Sequence, residues 1–214
     1  MFENLFSMDG KYSKAMNWLW NVLLLSILWL LCCLPIITIG ASSTAAYYTA
    51  AKVIRHKQGS VFSSFFSSFR SNFLQSVPLT VFFLVVFAVV LLECLLIISD
   101  ESFPVQILYL FYGLALTVYA FSLYLWACFS RFSKTVFSYI GMSMILVFRH
   151  LLTTVLLLLL HGVTIAAVFY MPWGILVFPG VCLFLETYLM EKILLHYSPV
   201  VSEDDPEAEK WYYQ

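Results

Sequence analysis

Residues 35–75, PIITIGASSTAAYYTAAKVIRHKQGSVFSSFFSSFRSNFLQ, form a long stretch that is neither a simple membrane span nor a simple tail. Its second half sets Phe62, Phe65, Phe66, Phe69 and Phe73 at i, i+3, i+4, i+7 and i+11, which is one apolar stripe on a helix of 3.6 residues per turn. Serines, Arg70 and Asn72 fill the other face. Such a helix can lie in a membrane interface with its rings in the acyl boundary, or dock those five phenylalanines into a partner's groove. The interfacial reading is the expectation carried forward.

Composition sets the class around that stretch. Of 214 residues, 62% are hydrophobic and only 11% charged, and the mean hydropathy is +0.92. A soluble domain cannot bury so large an apolar share, so the chain reads as an integral membrane protein. The formal net charge of -1 excludes a basic nucleic-acid surface, and nucleic acid is not an expected partner. Cys32, Cys33, Cys94, Cys128 and Cys182 all sit in apolar segments without C-x-x-C spacing, which reads as packing rather than metal or disulfide chemistry. No small-residue cleavage site follows the first apolar segment, so that segment is expected to stay in the mature protein.

Outward from residues 35–75, apolar segments of about 20 residues, the length that crosses a hydrocarbon core of about 30 Å, fall at 17–39, 77–99, 104–129, 151–171 and 173–190. The expected fold is therefore an all-α polytopic bundle of about five spans, residues 1–197, with a cytoplasmic amphipathic interfacial helix inside the stretch 40–74. An acidic tail, 198–214, follows. Pro78 suits the first turn of the second span, and Pro179–Gly180 interrupts the fifth. The Ala-, Ser- and Thr-rich run 41–51 lets another backbone approach closely, whether it packs on the bundle or re-enters the bilayer. Within the third span Gly113, Ala120 and Ala127 recur every seven positions, beside Tyr112, Tyr119 and Trp126; the small stripe predicts a close helix contact.

With five spans, one side of the membrane holds only Lys11 and Lys14, while the other holds Lys52, Arg55, Lys57, Arg70, Arg131, Lys134, Arg149, Lys192 and Lys210. The positive-inside rule then places the N-terminus outside and the C-terminus in the cytoplasm of a cell membrane.

Three ionisable residues fall within spans, Glu93, His161 and Glu186, and an intramembrane ionisable group is a functional candidate by default. They are expected to form either a polar path or three separate contacts in which the carboxyls are neutral and bonded to hydroxyls. No G-x-x-x-x-G-K-[ST], H-E-x-x-H or G-x-S-x-G occurs, so no enzyme activity, cofactor or metal is expected.

Asn21, the run Pro35-Ile36-Ile37-Thr38-Ile39-Gly40-Ala41, Thr44-Ala45 and Tyr47-Tyr48, then Gly59-Ser60-Val61-Phe62, Phe65-Phe66-Ser67-Ser68-Phe69 and Asn72-Phe73, resemble the YesL-like family of bacterial multi-pass membrane proteins. The resemblance implies a membrane protein connected with carbohydrate uptake and breakdown in Gram-positive bacteria, and it supplies no catalytic residue. Two functions follow as expectations. One is an accessory or interaction component of a carbohydrate import system, engaging the lipid bilayer and a partner. The other is a small transporter or channel, as a homo-oligomer, that uses Glu93, His161 and Glu186.

Overall fold

The computed structural model describes residues 11–99, 104–132 and 135–197. The lead-in 1–10, the acidic link 100–103 and the acidic tail 198–214 lie outside the described residues, as does Lys134.

The described residues are helical, in seven α-helices. Helix α1 (Lys11–Cys33) is the first apolar segment, and Pro35 forces a short 3-10 turn, Ile36–Thr38, before α2 (Ile39–Thr49). Thr38 closes the end of α1 by donating its hydroxyl towards the carbonyls of Cys32 (2.5 Å) and Pro35 (2.6 Å). The Cys32 carbonyl is one of the acceptors that a helix end otherwise leaves bare. Helix α2 continues into a π-turn, Ala50–Arg55, and the chain reverses through Lys57 and Gly59, both at positive φ (57° and 81°); at Gly59 alone of the two the missing Cβ removes the steric cost.

The run that was expected to pack on the bundle or to re-enter the bilayer is its centre. Ala41, Ala45, Ala46, Ala50 and Ala51 are fully buried, and Tyr47 nearly so. Small side chains make this possible: at Gly40 even a methyl group would overlap Thr80 and the ring of Trp126. Without a hydrophobic force between helices in lipid, such close approach is what binds them.

Helix α3 (Val61–Ser99) corrects the expected division of the stretch. The phenylalanine-striped segment and the second span are one helix of 39 residues, about 58 Å long at 1.5 Å per residue, rather than an interfacial helix followed by a span. Pro78 lies inside it instead of opening a new helix. Ser76 and Thr80 flank the proline and return their hydroxyls to the carbonyls of Phe73 (3.3 Å) and Ser76 (2.8 Å). The inward face also differs from the ring stripe. Val61, Ser64, Phe65, Ser68, Ser76, Leu79, Thr80 and Phe83 are buried, while Phe62 and Phe66 face outward at 59% and 39% exposure.

Helix α4 (Val105–Arg131) opens after Pro104 and packs on α3 through Phe121 and Trp126 against Phe83. Helix α5 (Val136–Arg149) follows, between the expected third and fourth spans, and then α6 (Leu151–Tyr170). The expected fifth span, 173–190, is a 3-10 turn, Pro172–Leu176, followed by α7 (Phe178–His196), so Pro179–Gly180 begin a helix rather than interrupt one. Among the described residues four helices are long and apolar enough to cross a membrane: Tyr12–Cys33, Val61–Ile98, Gln106–Arg131 and Leu151–Tyr170. Their outer faces are apolar and exposed. On α6 only Thr154 and Leu157 are buried, a pattern that fits lipid and not water.

Of the small stripe on α4, Ala120 and Ala127 are buried and Gly113 faces open space. Ala120→Leu should therefore lower stability by about 1–3 kcal/mol through overpacking. Thermal unfolding in detergent checks this, and an unchanged midpoint would place the stripe against lipid.

Candidate functional site

The end of α4 carries the densest polar chemistry. Phe132 leaves the helix in extended conformation, and α5 folds back so that Tyr139 stacks on Phe129 with ring centroids 4.0 Å apart. The Tyr139 hydroxyl also donates to the Phe132 carbonyl. This turn walls in Arg131, whose Nη1 pairs with Oε2 of Glu191 on α7; the two side chains are 1% and 2% exposed. The other carboxylate oxygen, Oε1, accepts a hydrogen bond from the Tyr47 hydroxyl on α2 at 3.1 Å. Three elements that are distant in sequence thus meet at one carboxylate. Removing two ions from water costs several kcal/mol each, a cost that their direct pairing and the added hydrogen bond from Tyr47 help to offset.

A second arginine holds the same helix. Arg55, at the end of the π-turn, donates Nη1 to the Thr187 carbonyl at 2.7 Å and lies 4.9 Å over the Tyr188 ring. The added backbone width of a π-turn re-aims the residues that follow it, a device frequent at functional sites. In the adjoining loop, burial first and the charge of Arg55 second hold the His56 imidazole below its usual range, so His56 is neutral at pH 7.

Beside Arg131 a cavity of about 470 Å³ opens. Its α3 wall is Ser67, Ser68, Ser71, Asn72 and Gln75, and the opposite wall is Tyr48, Phe129, Ser130, Arg131, Phe132 and Tyr139. A second cavity, of about 420 Å³ between α6 and α7, is lined by leucines with Val163 and Tyr188, as a lipid-facing crevice is.

Two of the three expected intramembrane residues meet. His161 Nε2 lies 3.9 Å from Glu186 Oε2, and the ring's other nitrogen donates to the Leu157 carbonyl at 2.9 Å, which points Nε2 toward the acid. Tyr119 lies edge-on to the imidazole at 5.7 Å between centroids. Glu93, half-buried on α3, joins neither residue, and neither cavity is lined by Glu93, His161 or Glu186. The phenylalanines expected to dock a partner form a ladder of rings, with Phe62–Phe66 at 4.7 Å, Phe65–Phe69 at 6.1 Å and Phe69–Phe73 at 5.6 Å. Phe65 points into the bundle and Phe69 and Phe73 are half-buried, which leaves Phe62 and Phe66 as the outward pair.

Glu191 was missed in the sequence, and the polar face of α3, though recognised, was not read as the wall of a cavity. Glu191 follows the apolar run by one residue and reads as the start of a solvated end, just as Arg131 reads as a loop cation. The available signal was that an acid and a base both sit within a turn of apolar helix ends on the same side of the membrane.

Residues 22–94 match the model of a family described as "Protein of unknown function, DUF624". The resemblance to YesL-like membrane proteins is thereby borne out over most of α1, α2 and most of α3. The match includes Tyr47, Tyr48 and the α3 wall of the polar cavity; Arg131, Tyr139 and Glu191 lie beyond it. No curated protein and no solved structure matches the chain.

Proposed function

We propose that this integral membrane protein is an accessory or interaction component of carbohydrate uptake and utilisation, without enzymatic activity, that binds at one face of the cell membrane. The observation that carries this reading is the polar cavity. Its hydroxyls and amides are gathered at one end of α4, close to Lys52 and Arg131, instead of being spread along a path through the bundle. A bundle arranged in this way is built to bind at a face rather than to conduct across it. The link to carbohydrate uptake is supported by the family resemblance.

Co-purification of the full-length protein from native membranes tests the reading. A carbohydrate importer subunit should be retained in proportion to the bait; enrichment no greater than on an unrelated membrane protein would overturn it. The positive-inside count places the cavity's side in the cytoplasm. Lys57→Cys should then resist an impermeant thiol reagent in intact cells and react in inside-out vesicles, and labelling of intact cells would reverse the orientation.

One observation favours the second reading, a small oligomeric transporter or channel: the approach of His161 to Glu186. On that reading, proteoliposomes containing the protein should dissipate a proton gradient, and Glu186→Gln should abolish the leak. A leak no greater than that of empty liposomes would overturn it.

A further inference from the structure

We infer that the cavity beside Arg131 binds an uncharged polyhydroxylated group, either a free small polyol or the neutral headgroup of a glycolipid. The inference goes beyond the accessory role and stands whether or not an importer is the partner. Its first support is size, since about 470 Å³ falls within the range of small-molecule sites.

Charge decides the class. Among the described residues that line the cavity, Arg131 alone is charged, and its guanidinium is paired with Glu191. A phosphate or carboxylate would have to compete with Glu191 for the arginine, and an ammonium group would meet no carboxylate in the lining. A neutral ligand loses the least solvation on entry.

Hydrogen-bonding capacity points the same way. Part of the lining is already committed and therefore held in place: Ser71 Oγ donates to the Ser68 carbonyl (3.0 Å), Asn72 Nδ2 to the same carbonyl (2.9 Å), and Ser130 Oγ to the Ala127 carbonyl (2.7 Å). What faces the cavity from these groups is chiefly acceptor oxygen. Ser67 and Gln75, one hydroxyl and one amide that are both exposed and make no hydrogen bond to a described residue, add donors as well as acceptors. A wall that both donates and accepts suits hydroxyl groups, each of which does both. Of the rings in the lining, Tyr48 is the half-buried one on which the C–H face of a polyol can rest, while Phe129 and Tyr139, stacked on one another and almost wholly buried, hold the wall rigid.

Saturation-transfer NMR on the full-length protein tests the inference. In nanodiscs of phosphatidylcholine alone, glycerol, myo-inositol and glucose are the probes, with inorganic phosphate and choline as charged competitors. At least one neutral probe should receive transfer that neither competitor reduces. Ser67→Ala and Gln75→Ala, at exposed positions that should leave the melting temperature in place, should each weaken it about fivefold, the value of one hydrogen bond. A second set of nanodiscs containing a glucosyl diacylglycerol separates the sources. Displacement of the free probe by the glycolipid, or retention of the glycolipid alone in a Gln75-dependent way, assigns the site to a headgroup; transfer undiminished by the glycolipid assigns it to a free polyol. Transfer from no polyol with no retained glycolipid means a cavity filled by water and overturns the inference. Equal binding by both variants, or displacement by phosphate or choline, overturns it as well. Loss of importer co-purification with polyol binding intact would sink the accessory reading and leave this one standing.

Discussion

Glu191→Ala is expected to destabilise the protein by about 3–5 kcal/mol, because it leaves the Arg131 guanidinium buried without its counter-charge. Arg131→Ala should cost a similar amount for the converse reason. The size follows from burial: with both side chains almost wholly enclosed, neither remaining ion can recover its hydration by a small movement. Tyr47→Phe removes only the hydrogen bond to Oε1 and should cost about 1.5–3 kcal/mol, the range for a hydrogen bond to a charged group. The discriminating variant is the double replacement Arg131→Met with Glu191→Leu. A buried pair exchanged for apolar groups of like volume is often neutral or stabilising, so the double variant should regain most of what either single loses. Denaturant unfolding in bicelles measures all four. A double variant as unstable as the sum of the singles would show that the two residues act separately.

The second large effect is expected at Gly180. A Cβ there would stand 2.5 Å from the backbone oxygen of Val22 and 2.5 Å from Ser26 Oγ, so Gly180→Ala must push α1 and α7 apart. Backbone cannot yield as a side chain can, and the displacement also stretches the 2.8 Å hydrogen bond from the Gly180 N–H to Ser26 Oγ. A loss of about 1–3 kcal/mol is expected for alanine, and failure to assemble for leucine. Gly162→Ala supplies the contrast. It lies mid-helix on α6 with nothing within 4 Å of the added methyl, so it should be neutral or stabilising by up to about 1 kcal/mol from helix propensity alone. Equal midpoints for the two alanine variants would mean that α1 and α7 are not in close contact in the membrane.

The class of the fold was readable because hydropathy over about 20 residues is a bulk property that does not depend on neighbours. The direction of each face was not. In the stretch 61–76 the five phenylalanines read as one stripe turned to the acyl boundary or to a partner's groove, with the serines opposite, because an amphipathic helix is expected to keep its rings on a single face. Beside lipid the rule loses its force, since a ring such as Phe62 or Phe66 is as well accommodated by acyl chains as by protein, while Ser64 and Ser68 gain close approach and hydrogen bonding by turning inward. Helix continuity through Pro78 was obscured because the proline looked like a helix start, whereas a spanning helix tolerates a proline in its interior. His161 and Glu186 were recognised as singular from their own segments, but their approach, and the exclusion of Glu93 from it, depends on how α3, α6 and α7 are set against one another. Arg131 and Glu191 lay at helix ends, where a charge ordinarily means water. Only the return of α5 over Phe129 makes that end an interior.

Ser26 also fixes an order of events during synthesis. Its hydroxyl accepts the Gly180 N–H and donates to the Val177 carbonyl at 3.3 Å, so a residue in the first span caps the first turn of the last helix. At about 5–20 residues per second, roughly 8–30 s separate the translation of Ser26 from that of Gly180. Throughout that interval α1 and α2 can already be joined through Ser42 and the Trp29 carbonyl (3.1 Å) and through the Trp29 indole and Ser43 (3.3 Å), neighbours in the chain that need nothing downstream. The α1 side of the groove that receives α7 can therefore form before α7 leaves the ribosome.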